Sequence, residues 1–235
     1  MILAINTSTL QFGLALLGEE GELISEFFMS EKKGHYGSLM PALDFLFSKS
    51  KLDISDIKAI SVSKGPGSFT GLRVGISAAK GLCHALGIPV IGVSSLEALA
   101  SQILESSLPV TAVLDSRRGE FFAAQFAWSG GILYRKSDDV CCKLENFPSF
   151  FANTGILIGN DYLNQASQIK DCFSDNIILA PVHCWSLRAS SIGFIGFKRF
   201  SVNDFDNLND LEPIYFRPPD IRTNTFPVAS GSFHK

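Results

Sequence analysis

The sequence predicts an α/β fold made of two similar halves, each a mixed β-sheet with flanking helices. Three short apolar strands separated by turn residues fill the first 29 positions of the 235-residue chain. Helices and strands then alternate to about residue 105, as in folds that contain parallel strands. A second strand–turn–strand unit at residues 111–126 repeats the opening one, with Asp115 in the place of Asn6. The repetition favours an internal duplication, while two unrelated hairpins are the alternative.

Turn chemistry and apolar periodicity define the elements of the first half. Turn residues separate the opening three strands, which predicts an antiparallel meander. Apolar residues at helical spacing then alternate with short β-rich runs. In the last helix Ser94 and Glu97 fit a capping box. The predicted order is strands 2–5, 12–17 and 22–29, helix 35–50, strand 58–63, a helix from about 68, strand 88–93 and helix 94–104.

The second half repeats this plan in a shorter form. After the hairpin we predict a helical stretch at about 144–151, a strand at 156–159, a helix to about 170, a strand at 177–180 and a long helix from about 185 to 200. We therefore divide the chain into residues 1–105, a reduced unit at 106–219 and a tail at 220–235. The tail is polar and aperiodic, which predicts disorder.

Composition excludes several classes of protein. The chain is 46% hydrophobic, which is enough for a full core. Its net charge of −3 argues against a basic surface that binds nucleic acid by itself. It begins without a basic, apolar leader, and no apolar run approaches the ~20 residues of a membrane span. We expect a cytoplasmic protein with no membrane partner.

Cysteine and histidine usage argues against a metal site. The five cysteines lack CxxC spacing, and the four histidines form no HExxH, HxxxH or HxH pair. Cys141 and Cys142, beside Lys143, are either a reactive thiol site or an apolar pair in a strand, and the strand is the favoured interpretation.

Residues 63–81, SKGPGSFTGLRVGISAAKG, carry five glycines and a proline at the start of a predicted helix. Each interior glycine costs a helix about 1 kcal/mol relative to alanine. Either an anion bound at the helix start or a second backbone packed against its side would offset that cost. Ser68 or Thr70 can cap the first turn.

The same helix has one face made of small residues. Gly71, Gly75 and Ala79 lie four positions apart, so they allow close approach of another element. We expect this helix to present the neighbouring stripe outward. That stripe consists of Leu72, Ile76, Lys80 and Cys83.

Five segments together carry a resemblance to a known family. They are ILAINTS, GPGSFTGLRVGI, IPVIGVSSLEALA, VLDSRRGEFFAAQF and EPIYFRP. Their order and spacing resemble those of the bacterial TsaB (YeaZ) family, densely to about residue 127 and again at residues 212–217. A duplicated unit of this kind is also the plan of the actin-like ATPase (ASKHA, RNase H-like) fold, whose two hairpin turns flank the phosphates of a nucleotide.

The resemblance implies a non-catalytic subunit, and no enzyme, in the bacterial complex that transfers a threonylcarbamoyl group to adenosine in tRNA. Members of the family resemble the catalytic TsaD subunit in fold, lack its paired metal-binding histidines and act by binding it. The resemblance also implies a TsaE-type ATPase as a partner, a homodimer when the chain is alone, and tRNA contact only through partners. We expect no cofactor on this chain, with ATP or ADP and a metal on the partner subunits.

A vestigial nucleotide or anion site is expected at the two turns and the glycine-rich loop. The family has an aspartate where this chain has Asn6, and an amide removes the charge that magnesium favours. Arg117 and Arg118 stand in the second turn, where active actin-like ATPases have glycines. The expected site residues are Asn6, Thr7, Ser8, Gly65, Gly67, Ser68, Asp115 and Arg117.

The partner interface is expected on the glycine-rich helix and the helix before it, because these form the pairing surface in the family. Its expected residues are His35, Leu39, Leu43, Phe69, Leu72, Arg73, Ile76, Lys80 and Cys83. The alternative is that the small face packs only against the chain's own sheet.

Two other functions stay open. One is an autonomous actin-like ATPase or kinase, or a glycoprotease-like hydrolase; Asn6 and the lack of a histidine pair argue against it. The other is a self-associating structural protein, which a pull-down with a TsaD-type subunit would distinguish.

Overall fold

The computed structural model describes residues 1–30, 36–116, 119–151, 154–173 and 176–216. The strands are β1 Ile2–Asn6, β2 Gln11–Leu17, β3 Leu23–Ser30, β4 Ala59–Gly65, β5 Val90–Ser94, β6 Val110–Asp115, β7 Phe121–Ser129, β8 Ile132–Arg135, β9 Val140–Cys142, β10 Gly155–Ile158 and β11 Ile177–Leu179. The α-helices are α1 Leu39–Ser50, α2 Phe69–Leu86, α3 Ser95–Ala100, α4 Tyr162–Cys172 and α5 Ala189–Ser201.

Two sheets share one strand order, which confirms the predicted α/β class with two similar halves. The first sheet runs β3-β2-β1-β4-β5, and the second runs β8-β7-β6-β10-β11. In the first, β1 pairs antiparallel with β2 and parallel with β4. In the second, β6 pairs in the same way with β7 and β10. The overlay of the two hairpins therefore holds, since Asn6 and Asp115 both end the first strand of their meander.

The helices bury both faces of the first sheet. α1 and α2 enclose a core on one face, which includes Leu3, Ile60 and Ile76. The opposite face packs against α3 and α5 in a larger core that continues into the second sheet, for example at Val113. Because this core is continuous, the division near residue 105 stays a prediction.

Several predicted boundaries were wrong. α5 begins at Ala189, not near 185, because the Glu26 carboxylate accepts hydrogen bonds from the Ser190 backbone N–H (3.0 Å) and hydroxyl (3.1 Å) and so sets the helix start. α3 ends at Ala100, and three-residue backbone bonds at Gln102 and Ile103 tighten the end of that stretch. Only the Ser94 half of the predicted capping box forms, with its hydroxyl accepting from the Glu97 N–H.

Other predictions fall on short or undescribed elements. Residues 144–149 form a 3-10 helix. Cys141 and Cys142 lie in the short strand β9, which agrees with the favoured interpretation of this pair as part of a strand. Strand β8 was not predicted. The tail at 220–235 lies outside the described residues, as does the start of the first predicted helix at position 35.

The chain returns to the first sheet after α5. Asp206 forms a bridge with Val90, and its carboxylate accepts from the Gly92 N–H at 2.8 Å. Further on, the Ile214 N–H donates to the Lys64 carbonyl at 2.8 Å. We call residues 205–216 the C-terminal segment; it covers the open edge of β5. Among the described residues, no helix combines the length and apolar character that crossing a membrane requires.

Candidate functional site

The start of α2 is closed by the chain itself. Ser68 caps the helix, and its hydroxyl accepts from the Gly71 N–H at 3.3 Å, as the sequence predicted. The Ser68 N–H donates to the Ser8 carbonyl at 2.6 Å. Two of the N–H groups that an anion would need are therefore already bonded within the chain.

The small face of α2 packs against the first hairpin turn. The Thr7 hydroxyl donates to the Gly71 carbonyl at 2.7 Å. A Cβ placed on Gly75 would lie 2.2 Å from the Thr7 hydroxyl oxygen, and one on Gly67 would lie 2.2 Å from the Ser8 carbonyl oxygen. The glycines at 67 and 75 thus permit a backbone approach that alanine would prevent, and the packing is within the chain.

Gly65 is required for a different contact. Its φ of +114° lies in a region that favours glycine, and a Cβ there would meet the Ile214 carbonyl oxygen at 2.9 Å. The loop after β4 is therefore held between the first hairpin turn on one side and the C-terminal segment on the other.

Asn6 is fully buried and its amide is saturated with hydrogen bonds. The amide nitrogen donates to the carbonyls of Gln11 (3.3 Å) and Leu187 (2.9 Å). The amide oxygen accepts from the backbone N–H (3.1 Å) and hydroxyl (2.8 Å) of Ser8. The side chain fixes the turn and joins it to the loop before α5. Sequence reasoning missed Leu187, since only its backbone takes part.

The second hairpin turn is more open. Asp115 is exposed at the end of β6, and the Ser116 N–H donates to the Glu120 carbonyl at 3.0 Å. Arg117 and Arg118 lie outside the described residues. Within the described ranges, no group of three or more histidine, cysteine or acidic side chains is placed to hold a metal ion.

Apart from Lys80, the predicted interface stripe of α2 faces inward, which corrects the expectation that it is presented to a partner. The inward residues of the expected set, Leu39, Leu43, Leu72, Ile76 and Cys83, are between 0% and 6% exposed. Four of them contribute to the core under α1 and α2, and Leu72 is buried outside that cluster. His35 lies outside the described residues.

Burial also sets the chemistry of Cys83. Removal from water raises the pKa of its thiol to about 12, and its sulfur donates to the Pro89 carbonyl at 3.5 Å. A neutral, buried thiol of this kind packs as a small apolar group.

The exposed side of α2 is a different set of residues, mostly small. Ser77, Gly81 and Ala85 are exposed, and Val74, Ala78 and Leu82 are half-buried. A Cβ on Gly81 would meet nothing within 4 Å. We call these six residues the outer face of α2. Small side chains leave the helix backbone accessible to close packing by another helix.

Aromatic and basic side chains border the outer face of α2. The Arg73 guanidinium lies 4.0 Å from the centre of the Phe69 ring, and its Nε donates to the Tyr215 hydroxyl at 2.9 Å. The Phe69 and Tyr215 rings are 4.9 Å apart. Lys80 donates to the Asn209 carbonyl at 3.1 Å. Sequence reasoning did not place Tyr215 beside α2, although both stretches belong to the segments that carry the resemblance.

Comparison with known proteins agrees with this architecture. The structure superimposes on YeaZ from Pseudomonas aeruginosa with a TM-score of 0.73 and 23% identity, covering 91% of this chain and 98% of the other. It also superimposes on the activator of 2-hydroxyisocaproyl-CoA dehydratase from Clostridium difficile, solved with bound ADPNP, with a TM-score of 0.51 and 11% identity, covering 88% and 98%. The fold is that of the actin-like ATPases.

Sequence comparison identifies the family. The family model described as "TsaD: tRNA N6-adenosine threonylcarbamoyltransferase" matches residues 22–188. The Bacillus subtilis (strain 168) tRNA threonylcarbamoyladenosine biosynthesis protein TsaB is 30% identical over 219 residues, which are 92% of this chain and 93% of that protein. The chain belongs to the TsaB (YeaZ) family of tRNA threonylcarbamoyladenosine biosynthesis.

Proposed function

We propose that this chain is a non-catalytic subunit of tRNA threonylcarbamoyladenosine synthesis that acts by binding a TsaD-type catalytic subunit through the outer face of α2. The observation that carries the proposal is a contrast between two parts of α2. The start of the helix, where a nucleotide phosphate would sit, is closed by Thr7 and Ser8. The outer face has open space at Gly81.

Saturated hydrogen bonding supports the non-catalytic part of the proposal. The Asn6 amide has no remaining group to offer a cation, because its oxygen takes two bonds from Ser8 and its nitrogen donates two. We infer that ATP or ADP and the metal are bound by the TsaD-type and TsaE-type partners. The tRNA is held by those partners too, since the chain carries a net charge of −3.

Similarity between this chain and the TsaD family supports the proposed mode of pairing. The TsaD family model matches most of this chain, so a TsaD-type partner presents an equivalent helix in an equivalent place. Two such helices can meet about a pseudo-two-fold axis, and two copies of this chain can meet about a true one. The same surface then serves a homodimer when the partner is missing.

Reconstitution tests the proposal directly. Purified TsaD-type and TsaE-type subunits, the threonylcarbamoyl donor, ATP and tRNA are combined with and without this chain. We expect modified tRNA only when the chain is present, and no ATP turnover by the chain alone. Magnesium-dependent ATP hydrolysis by the isolated chain would favour an autonomous enzyme, and full tRNA modification in its absence would favour a purely structural role.

A further inference from the structure

A cavity of about 630 Å³ has a wall that includes none of the residues closing the start of α2. Residues at the ends of β4 and β5 form one side, and β8 with the loop after it forms another. α5 and the C-terminal segment complete the wall. This volume is within the range of about 300–1,000 Å³ typical of small-molecule sites. The ends of parallel strands are also the usual place for ligands in α/β proteins.

The Glu97 carboxylate faces this cavity without a partner. Glu97 lies in the first turn of α3 and is partly buried. Among the described residues, its carboxylate makes no hydrogen bond and no salt bridge, and charged side chains act on it only as electrostatic neighbours. The loss of water raises the pKa of this carboxyl, and the more distant Arg135, Arg199 and Lys64 oppose that rise.

The cations around the cavity are already paired with other carboxylates. Arg135 binds Asp139 and also donates to the Ser94 hydroxyl at 3.1 Å. Arg199 binds Asp204 at 2.7 Å and Asp206 at 3.1 Å, and Lys64 lies 3.7 Å from Asp206.

Asp138, on the rim, has no ion pair with any described residue. Glu97 and Asp138 are therefore the two carboxylates of the cavity wall that no described cation pairs with.

The remaining wall is apolar. Val93 and Ile195 lie on one part of it, and Ile214 and Phe216 of the C-terminal segment lie on another. Phe216 also packs against Phe122 of β7, with ring centres 5.7 Å apart, which fixes that wall between the two sheets. Such a surface favours an apolar body attached to the charged group.

We propose that this cavity binds a small organic cation, an amine or guanidine with an apolar body, whose charged end pairs with Glu97. A cation would supply the hydrogen bonds that the carboxylate lacks, and the apolar body would cover Ile195, Ile214 and Phe216. The cavity shares no residue with the outer face of α2.

The proposed pairing requires ionised Glu97. The charged groups that face it are Lys64 from β4, Arg135, Asp138 and Asp139 from β8 and the loop after it, and Arg199 from α5. Of these, Asp139 also has a pKa raised by burial. We therefore expect affinity for a cation to fall as the pH is lowered toward the raised pKa of Glu97, where the carboxylate takes up a proton.

Three probes with one apolar body separate the effect of charge from that of apolar contact. They are 4-phenylbutylamine, 4-phenylbutanol and 4-phenylbutyrate, titrated into the full chain by calorimetry or by NMR. We expect the amine to bind about tenfold or more tightly than the alcohol, and the carboxylate to bind most weakly. Equal affinity for all three, tightest binding of the carboxylate, or no binding of the amine would each overturn the proposal.

Two variants assign the effect to Glu97. Glu97→Gln keeps the shape of the side chain, and we expect it to lose the preference for the amine over the alcohol. Asp44→Asn removes an exposed charge on α1 and serves as the matched control, with the preference retained. Circular dichroism shows that each variant is folded. An unchanged preference in folded Glu97→Gln would contradict the proposal.

Discussion

The side chain of Asn6 joins three segments of the chain by hydrogen bonds alone. It binds the hairpin turn at Ser8, the start of β2 at Gln11 and the loop before α5 at Leu187. Only an amide can both donate to two carbonyls and accept two bonds at such a position. An aspartate has no donor when ionised and one when protonated, so it could not donate to both carbonyls.

Asn6→Asp is therefore expected to destabilise the protein by about 1–3 kcal/mol or more at neutral pH, because it sets a carboxylate oxygen against two carbonyls. Burial would raise the pKa of the new carboxyl, so the folded state would bind its proton more tightly than the unfolded chain. The loss should then grow as the pH rises from about 4 to 7. Urea unfolding measures it, with exposed Asn209→Asp as the control. Equal effects of the two substitutions would contradict this role for Asn6.

Cys83 gives a second test at a single side chain. Because burial raises its pKa to about 12, the folded protein should keep this thiol protonated at pH 8 to 9. The unfolded chain ionises it near its ordinary value of about 8.5, so this group lowers stability as the pH rises above that value. We expect Cys83 to resist alkylation at pH 8.5 until the protein unfolds, as measured by mass spectrometry. Rapid labelling in the native state would contradict its burial.

Helix α2 has two faces with opposite requirements for glycine. At Gly75 the turn residue Thr7 occupies the space of a Cβ, whereas at Gly81 that space is open. Gly81→Ala should stabilise the protein by about 1 kcal/mol through helix propensity. Gly75→Ala should instead destabilise it by about 1–3 kcal/mol through overpacking. Both variants are glycine-to-alanine changes in the same helix, so their melting temperatures can be compared directly. Shifts of the melting temperature with the same sign would contradict the packing described.

The sequence predicts the local features of α2 but not which of its faces is buried, because burial depends on residues that are distant in the sequence. The helix, its Ser68 cap and its small face follow from local rules. Local rules do not show which stripe beside the small face points outward, since Leu72 and Ile76 are apolar enough for either a core or an interface. The orientation of the helix depends on Thr7, which is distant in the sequence. Because Thr7 packs against Gly75, the small face lies against the first hairpin turn, and the neighbouring Ile76 is buried. Ile76→Glu should accordingly unfold the protein.

The two halves of the molecule are joined by a buried amide network as well as by a common core. Gln11 of β2 donates to the Asn160 carbonyl at 2.7 Å, and Gln165 of α4 donates to the Asn160 side chain at 3.0 Å. The sequence predicted the repeated halves, because the succession of strands and helices along the chain follows from periodicity. It could not predict this link, because amide contacts between positions 149 residues apart have no local pattern.

A continuous core should make the whole chain unfold as one unit. We expect a single calorimetric transition with equal calorimetric and van't Hoff enthalpies. Two separated transitions would show that the halves are energetically independent and that the shared core contributes little.

The binding of a TsaD-type subunit to surface variants tests the proposed function most directly. Gly81→Glu adds a charge to the outer face of α2, where space is open, so the chain should stay folded. Leu104→Glu makes a charge change at a position that is 88% exposed and lies outside α2. Surface plasmon resonance should show about tenfold or greater loss of affinity for Gly81→Glu, because the charge is desolvated without a partner, and near wild-type affinity for Leu104→Glu. Wild-type affinity of a folded Gly81→Glu protein would contradict the assignment of α2 as the partner surface.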